Sequence, residues 1–487
     1  MKYINSFYCL TFICLTNFSL GVTAQINKVV ITNGWEFRQV GTAKWNAATV
    51  PGEVHSDLLN NKMIPDPYYR DNEEKLQWIE KKDWEYKTSF SVSPSTLKQK
   101  NAELVFDGLD TYATVYLNGK LVLKADNMFR QWRVNVKPYL RSGENSLKIV
   151  FESAQNVVDS LAKKDLPFVI PDNPRTYVRK AQYHFGWDWG PKLTTCGVWK
   201  EVRLESYNQK PKEKEYVPSR KVELVQQPDS IGKSFYFKID GKPVYMKGAN
   251  YIPSDALLSR VTKKEYEKVI KMAKDANMNM LRVWGGGIYE DDYFYDLCDK
   301  YGINVWQDFM FAGAMVPGDD AFFDNVREEV KYQVKRLRHH KSIVLWCGNN
   351  EVDEAFNNWG WQKSMKMSKQ DSTKLWKDYV RLFQDSIPKW VKEVDPTRPY
   401  TSSSPLFGWG REKSYTEGDS HYWGTWWGLA DIEAVQNRTG RFVSEYGMQA
   451  MPNYSTTKKI TLEEDRHLYS DVLKAHQKAG NGFLKLN

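Results

Sequence analysis

Residues 343–356, IVLWCGNNEVDEAF, set three carboxylates directly behind an apolar run. Ile343 to Trp346 have the make-up of a buried strand, and Gly348 to Asn350 that of the turn ending it. Glu351 therefore falls at a strand tip. Asp353 and Glu354 fall where a following helix would start, whose positive end favours acids. A second acid holds an equivalent place in RFVSEYG (441–447), where Glu445 closes another apolar strand. One acid at such a place is equally well explained by a helix cap or an ion pair. Two of them, 94 positions apart in sequence, are suited to glycosidic bond cleavage, one as proton donor and one as base or nucleophile.

The elements that must position this pair alternate in type. From about residue 244 the pattern predicts strand (VYMKGAN), helix (263–276), strand (NMLRVWGG), helix (289–301) and strand (INVWQDFM). A long helix (320–340), the strand SIVLWCG and a helix over much of 368–394 follow. Three further strands are expected in YTSSSP, DSHYWG and RFVSEYG. Such alternation implies parallel β/α units, and seven strands in series favour a (β/α)8 barrel over an open sheet. Barrel sites lie at the C-terminal strand ends. Those tips carry Asn250, Arg282 with Trp284, Gln307 with Asp308, Asn350 with Glu351, Ser403, His421 with Tyr422, and Glu445. Asn350 offers a neutral donor for a hydroxyl, and Arg282 can hold a carboxylate ionised. No glycine fingerprint follows the first strand, and GGG at 285–287 precedes no phosphate-loop lysine, so a tight turn is the expectation there.

The first half reads differently. ELVFDGLDTYATVYLNGKLV alternates across an LNGK turn, FRQWRVNVKPYL and NSLKIVFES continue the alternation, and GVWKEVRLES closes it. The expectation is a jelly-roll-like β-sandwich over 25–206, interrupted at 183–191 by YHFGWDWGP, a loop rich in aromatic and polar groups. Residues 207–222, mixing Lys, Glu and Pro, read as a linker, and 223–487 as the barrel domain. The net charge of +9 is scattered rather than gathered, which disfavours nucleic acid as a partner. With 19 Trp, 28 Tyr and 22 Phe the chain is rich in flat aromatic faces, which suit sugars. Residues 1–24 read as a cleaved export leader, implying a periplasmic or secreted protein, or a lysosomal one in a eukaryote. No later segment could span a membrane. Cys196, Cys298 and Cys347 suggest no disulfide framework, and the scattered Cys and His give no zinc spacing.

Taken together, RVWGGGIYE, LWCGNNE, FVSEYG and WDWGP resemble glycoside hydrolase family 2 from about residue 26 onward, and its β-mannosidase branch most closely, through GNNE (348–351) and WDWGP (187–191). The resemblance implies a retaining double displacement on β-mannoside oligosaccharides or glycans, with no metal or organic cofactor. It casts Glu351 as acid/base and Glu445 as nucleophile, with Asn350 on the sugar 2-hydroxyl and Arg282 supporting Glu445. Asp188 would reach in from the sandwich, Trp284 and Trp359 would wall the subsite, and His421, Tyr422 and Trp427 would line it.

Two departures from that family pattern are expected. Only residues 207–243 separate VRLES from VYMKGAN, which leaves no room for an immunoglobulin-like middle domain of about 100 residues. Asn487 lies 42 positions beyond Glu445, so the barrel is expected to lack its last strand and the domains that follow it. Two other readings stay open on sequence: a family 2 exo-β-glycosidase acting on glucosides, galactosides or glucosaminides, and a non-catalytic carbohydrate-binding fragment.

Overall fold

The computed structural model describes residues 25–164, 170, 174–212, 215–480 and 482; the leader read at 1–24 lies outside them. Strict alternation makes the first half a sandwich. In Trp84–Val92 the residues Trp84, Tyr86, Phe90 and Val92 face inward, and in Gly143–Glu152 so do Leu147, Ile149 and Phe151. Six antiparallel strands, in the spatial order Asn46–Ala47, Glu36–Gln39, Trp84–Val92, Gly143–Glu152, Tyr112–Leu117 and Lys120–Asp126, form one sheet. Asn27–Val30, Val202–Tyr207, Asn101–Phe106 and Trp132–Asn135 form the other. Phe37, Tyr86, Leu104, Phe106, Ile149 and Phe151 fill the space between them. The LNGK turn holds because Asn118 and Gly119 both take positive φ, 50° and 78°, the geometry a two-residue hairpin turn requires.

The second half is a parallel barrel. Its first five strands, Gly248–Tyr251, Met280–Val283, Asn304–Asp308, Ile343–Cys347 and Tyr400–Thr401, pair in sequence order. Ser420–Tyr422 and Val443–Tyr446 pair as a sixth and a seventh. Among the described residues no ladder joins the seventh strand to the first, and the Asn250 side chain donates to the Ser444 carbonyl across that gap at 3.2 Å. Period-two alternation turns Met280, Arg282, Trp306 and Asp308 into the barrel and sends Leu281, Val283 and Val305 out against the helices. A three-stranded antiparallel sheet (Val222–Val225, Tyr236–Ile239 and Lys242–Val244) closes the lower end, where Phe235 and Phe237 pack on Trp306 and Phe442.

Several local expectations are corrected. The 368–394 helix is interrupted by a π-helical stretch, Val380–Ser386, whose Phe383 carbonyl accepts from the Tyr400 hydroxyl at 2.6 Å. WDWGP is a hairpin rather than an irregular loop: Phe185–Trp187 pairs with Gly190–Lys192 around Asp188 and Trp189. The 207–222 linker is tied down where Tyr216 accepts from Arg398 at 2.7 Å. Further along, a short helix spans Asp471–His476. This region and the preceding stretch fold back on the sandwich, through Arg70 with Asp465 at 2.9 Å and Lys478 with Glu73 at 2.7 Å.

The two halves share a core in which Met128, Phe129, Tyr183 and Phe185 of the sandwich meet Phe309, Phe311 and Val330 of the barrel. At its centre, Arg179 donates to both oxygens of Glu329 at 2.9 and 2.7 Å, and Asn127 and Tyr289 donate to the same carboxylate at 2.9 Å each. Both ions are buried, so removing one strands the other in low dielectric. Glu329→Ala is expected to lower stability by about 3–5 kcal/mol, read as a shift in the urea unfolding midpoint.

Candidate active site

The site is assembled around one guanidinium. Arg282, buried at the tip of the second barrel strand, donates Nη2 to Asp308 Oδ2 at 2.8 Å and to Asn350 Oδ1 at 2.8 Å. Its Nη1 donates to Asn250 Oδ1 at 2.9 Å and also bonds Glu445 Oε1. Asp308 is oriented in turn by Trp306 Nε1 at 2.9 Å and by the Gly285 amide at 3.0 Å. Burial opposes the Arg282 charge, but Asp308 and Glu445 outweigh it and raise its pKa. Gly285 lies in the expected tight turn, which Gly287 N closes by donating to the Trp284 carbonyl at 3.2 Å, and it is also required for space, since a Cβ there would lie 2.6 Å from the Phe311 carbonyl oxygen. At Gly286 a Cβ would strike the Trp284 indole.

Glu351 sits at φ 62°, a left-handed conformation that costs a residue other than glycine roughly 1–3 kcal/mol. Its amide donates to the Ser404 carbonyl and its carbonyl accepts from Ala355 N, both at 2.8 Å, which holds the kink between strand four and the helix Val352–Asn358. Asn350 Nδ2 donates to Glu351 Oε2 at 3.2 Å, and His421 Nδ1 lies 2.8 Å from Glu351 Oε1. The same Nδ1 is 3.4 Å from Glu445 Oε2, which also accepts from Trp423 Nε1 at 3.3 Å. Atoms of Glu351, His421 and Glu445 all lie within 4.8 Å of one another. Asp353 sits in the first turn of the helix, as expected. Glu354 does more, accepting from Gly408 N at 3.0 Å and Arg411 at 2.9 Å, and so anchors the loop that forms one wall.

Burial raises the Glu351 pKa to about 7, with Arg282 and Asn350 opposing and Glu354 adding a smaller rise. Burial raises Glu445 too, and the Arg282 guanidinium opposes that rise by stabilising its charge. Burial lowers His421 to about 4, so its ring is neutral at physiological pH. Glu351, His421 and Glu445 are the one group of His, Cys, Asp or Glu side chains, among the described residues, spaced to hold a metal. The Arg282 cation fixed on Glu445 repels a second cation there.

These residues line a cavity of about 1600 Å³ that runs from the barrel mouth down between the seventh and first strands to Met280, Trp306 and Phe442. Asp188 and Trp189, at the sandwich hairpin, form part of its wall, and burial followed by the Glu351 charge raises the Asp188 pKa. Trp284 is held edge-on by Trp187 and Trp189, with ring centroids 4.7 and 5.4 Å away. Trp359 and Trp427 stand half-open at the rim, and Tyr422 is buried behind the wall rather than lining it. Trp409, Trp423, Trp426, Ser404 and Asp419 were not singled out from sequence. Asp419 and Trp423 lie just beyond either end of strand six, Ser420–Tyr422, an element too short for its alternation to mark them.

Comparisons with known proteins bear on the family and the fold. Residues 35–200 match the glycosyl hydrolase 2 galactose-binding domain-like family and residues 232–415 the glycosyl hydrolases family 2 TIM barrel domain. A bovine beta-mannosidase is 32% identical over 95% of this chain and 66% of its own length, and beta-mannosidase B of Emericella nidulans is 33% identical over 92% and 66%. The crystal structure of a beta-D-mannosidase from Dictyoglomus thermophilum is 36% identical and superposes with a TM-score of 0.86 over 94% of this chain and 68% of that one. The chain belongs to glycoside hydrolase family 2, among beta-mannosidase relatives. It spans just under two thirds of the length of these curated relatives. The bovine alignment runs over 587 positions against the 487 residues of this chain, so the relative carries at least 100 more residues within the aligned region.

The raised Glu351 pKa has a consequence for stability. A carboxyl whose folded pKa exceeds its unfolded value of 4.5 contributes fully below that value. That contribution is lost as pH rises toward 7. Glu351→Gln is therefore expected to raise Tm relative to the parent at pH 8, by an amount on the order of 1–3 kcal/mol in stability, and to leave it unchanged at pH 4. Thermal melts at the two pH values check this.

Proposed function

We propose that this chain is a retaining exo-glycosidase that removes terminal non-reducing β-D-mannose from β-D-mannosides. The observation that carries the reading is the close carboxylate pair, Glu351 and Glu445, beside a fixed arginine in a cavity walled with indoles. Retaining enzymes hold the two carboxyl groups about 5–5.5 Å apart, whereas inverting ones leave room for a water at about 6.5–9.5 Å.

In this reading Glu445 is the nucleophile. Arg282 and Trp423 hydrogen-bond its carboxylate, orient it toward the anomeric carbon and keep it ionised against burial. Glu351 is the acid, protonated at neutral pH, and donates to the departing glycosidic oxygen. Once Glu445 is esterified its negative charge disappears, Glu351 ionises more readily, and it then takes a proton from the attacking water. Asn350 is aligned by Arg282 and binds the sugar 2-hydroxyl. Asp188 binds hydroxyls on the opposite side, and Trp284, Trp359 and Trp427 offer apolar faces to the ring and the leaving group. His421 supports the acid rather than the sugar, and Tyr422 backs the wall. The similarity to beta-mannosidases at 32–36% identity favours mannose over the gluco- and galacto-configured substrates. The leader-like residues 1–24 support export to the periplasm or the exterior.

Release of nitrophenol from 4-nitrophenyl β-D-mannoside is expected to exceed that from the β-D-galactoside, with β-mannose as the first anomer seen by NMR. A galactoside preference or an inverted first product would contradict the reading. Glu445→Ala is expected to lower kcat by about four orders of magnitude or more, measured under saturating mannoside.

A further inference from the structure

His421 touches both carboxylates, so its tautomer decides where the site's proton rests. Its other nitrogen, Nε2, is 3.1 Å from Ser404 Oγ. That hydroxyl has a single hydrogen, which it donates to Asp419 Oδ2 at 2.6 Å. Ser444 Oγ donates to the same oxygen at 2.6 Å, and Leu406 N donates to Asp419 Oδ1 at 2.9 Å, so Asp419 is an acceptor in all three contacts. Asp419, Ser404 and His421 are buried, so the chain has no solvent alternative. With its hydrogen committed to Asp419, Ser404 can only accept from His421, which places the imidazole hydrogen on Nε2. The neutral ring then turns a bare lone pair at Nδ1 toward Glu351 Oε1, 2.8 Å away. A lone pair facing an ionised carboxylate is repulsive, so one of the two carboxyl groups must bring a proton. Glu445 already accepts from Arg282 and Trp423. The proton belongs to Glu351.

We infer that Asp419, acting through Ser404, fixes His421 in its Nε2-protonated form and thereby keeps Glu351 in the acid form. Asp419 and His421 are thus positioning residues for the proton donor. The inference rests on the reading of Glu351 as that donor, and no bond other than hydrogen bonds changes in it. The groups facing Glu351 are His421 from strand six, Glu445 from strand seven, Arg282 from strand two, Asn350 beside it, Glu354 from the following helix and Asp188 from the sandwich. Those facing His421 are Glu351, Glu445, Arg282, Ser404 and Asp419. Only the Ser404 and Asp419 arm sets the tautomer.

Replacing Asp419 by Asn reverses the chain. An amide N–H donates to Ser404 Oγ, the serine hydrogen turns to His421 Nε2, and the ring hydrogen moves to Nδ1, where it favours ionised Glu351. The experiment records 15N spectra of histidine-labelled full-length protein at pH 7, with His421 identified by His421→Asn, alongside pH profiles of kcat/KM on 4-nitrophenyl β-D-mannoside. The expected parent spectrum shows a neutral ring protonated at Nε2. In Asp419→Asn the hydrogen is expected at Nδ1, and the basic limb of the profile is expected to fall by about one pH unit. An Nδ1-protonated or cationic ring in the parent would overturn the inference. So would an Asp419→Asn enzyme slowed equally at all pH values with its basic limb unmoved. The parent spectrum requires no turnover, so a failure of the glycosidase reading would show separately, as absent hydrolysis beside a clear tautomer signal.

Discussion

The structure depends on a single buried cation. Arg282 is buried, and its charge is tolerable because Asp308, Glu445, Asn250 and Asn350 surround it. That requirement draws the tips of the first, second, third, fourth and seventh barrel strands to one point. The same contacts determine the chemistry. Two carboxylates close together cannot both be charged at low cost. The arginine sits against one of them and leaves the other, Glu351, to burial and to the lone pair of a neutral histidine. In the proposed mechanism, the division of labour between donor and nucleophile follows from which carboxylate has the guanidinium.

Around this centre the fold supplies rigidity and shape. The Arg179–Glu329 cluster fastens the sandwich to the barrel and thereby fixes the hairpin carrying Asp188 and Trp189 at the cavity wall. Glu354 fastens the 408–411 loop on another side. The strained backbone at Glu351 lies between these supports, where neighbouring hydrogen bonds over-determine it. Below the site, Phe235 and Phe237 pack on Phe442 at the barrel floor.

Much of this was legible in the sequence because strand periodicity is coarse and robust. Buried apolar runs ending in Asn350–Glu351 and Glu445 placed both acids at strand tips, and Arg282 one strand over was readable in the same way. What escaped was second-order geometry. Asp308 was visible at its tip, but not that it would share Arg282. Asp419 and Trp423 flank the three-residue strand that carries His421, which is too short for its alternation to stand out. The turn at 285–287 was readable, but not the close approach of Gly285 to the Phe311 carbonyl, because such packing has no local sequence signature. The π-helical stretch at 380–386 was invisible for the same reason, since it answers to Tyr400 and to packing rather than to its own residues.

The central claim, that the arginine-held carboxylate attacks the sugar, is tested most directly by trapping. The protein would be incubated with 2-deoxy-2-fluoro-β-D-mannosyl fluoride, digested, and mapped by tandem mass spectrometry. The account predicts one fluoromannosyl label on Glu445, within the segment RFVSEYG. A label on Glu351 or on any other residue, or none after prolonged exposure, would contradict it.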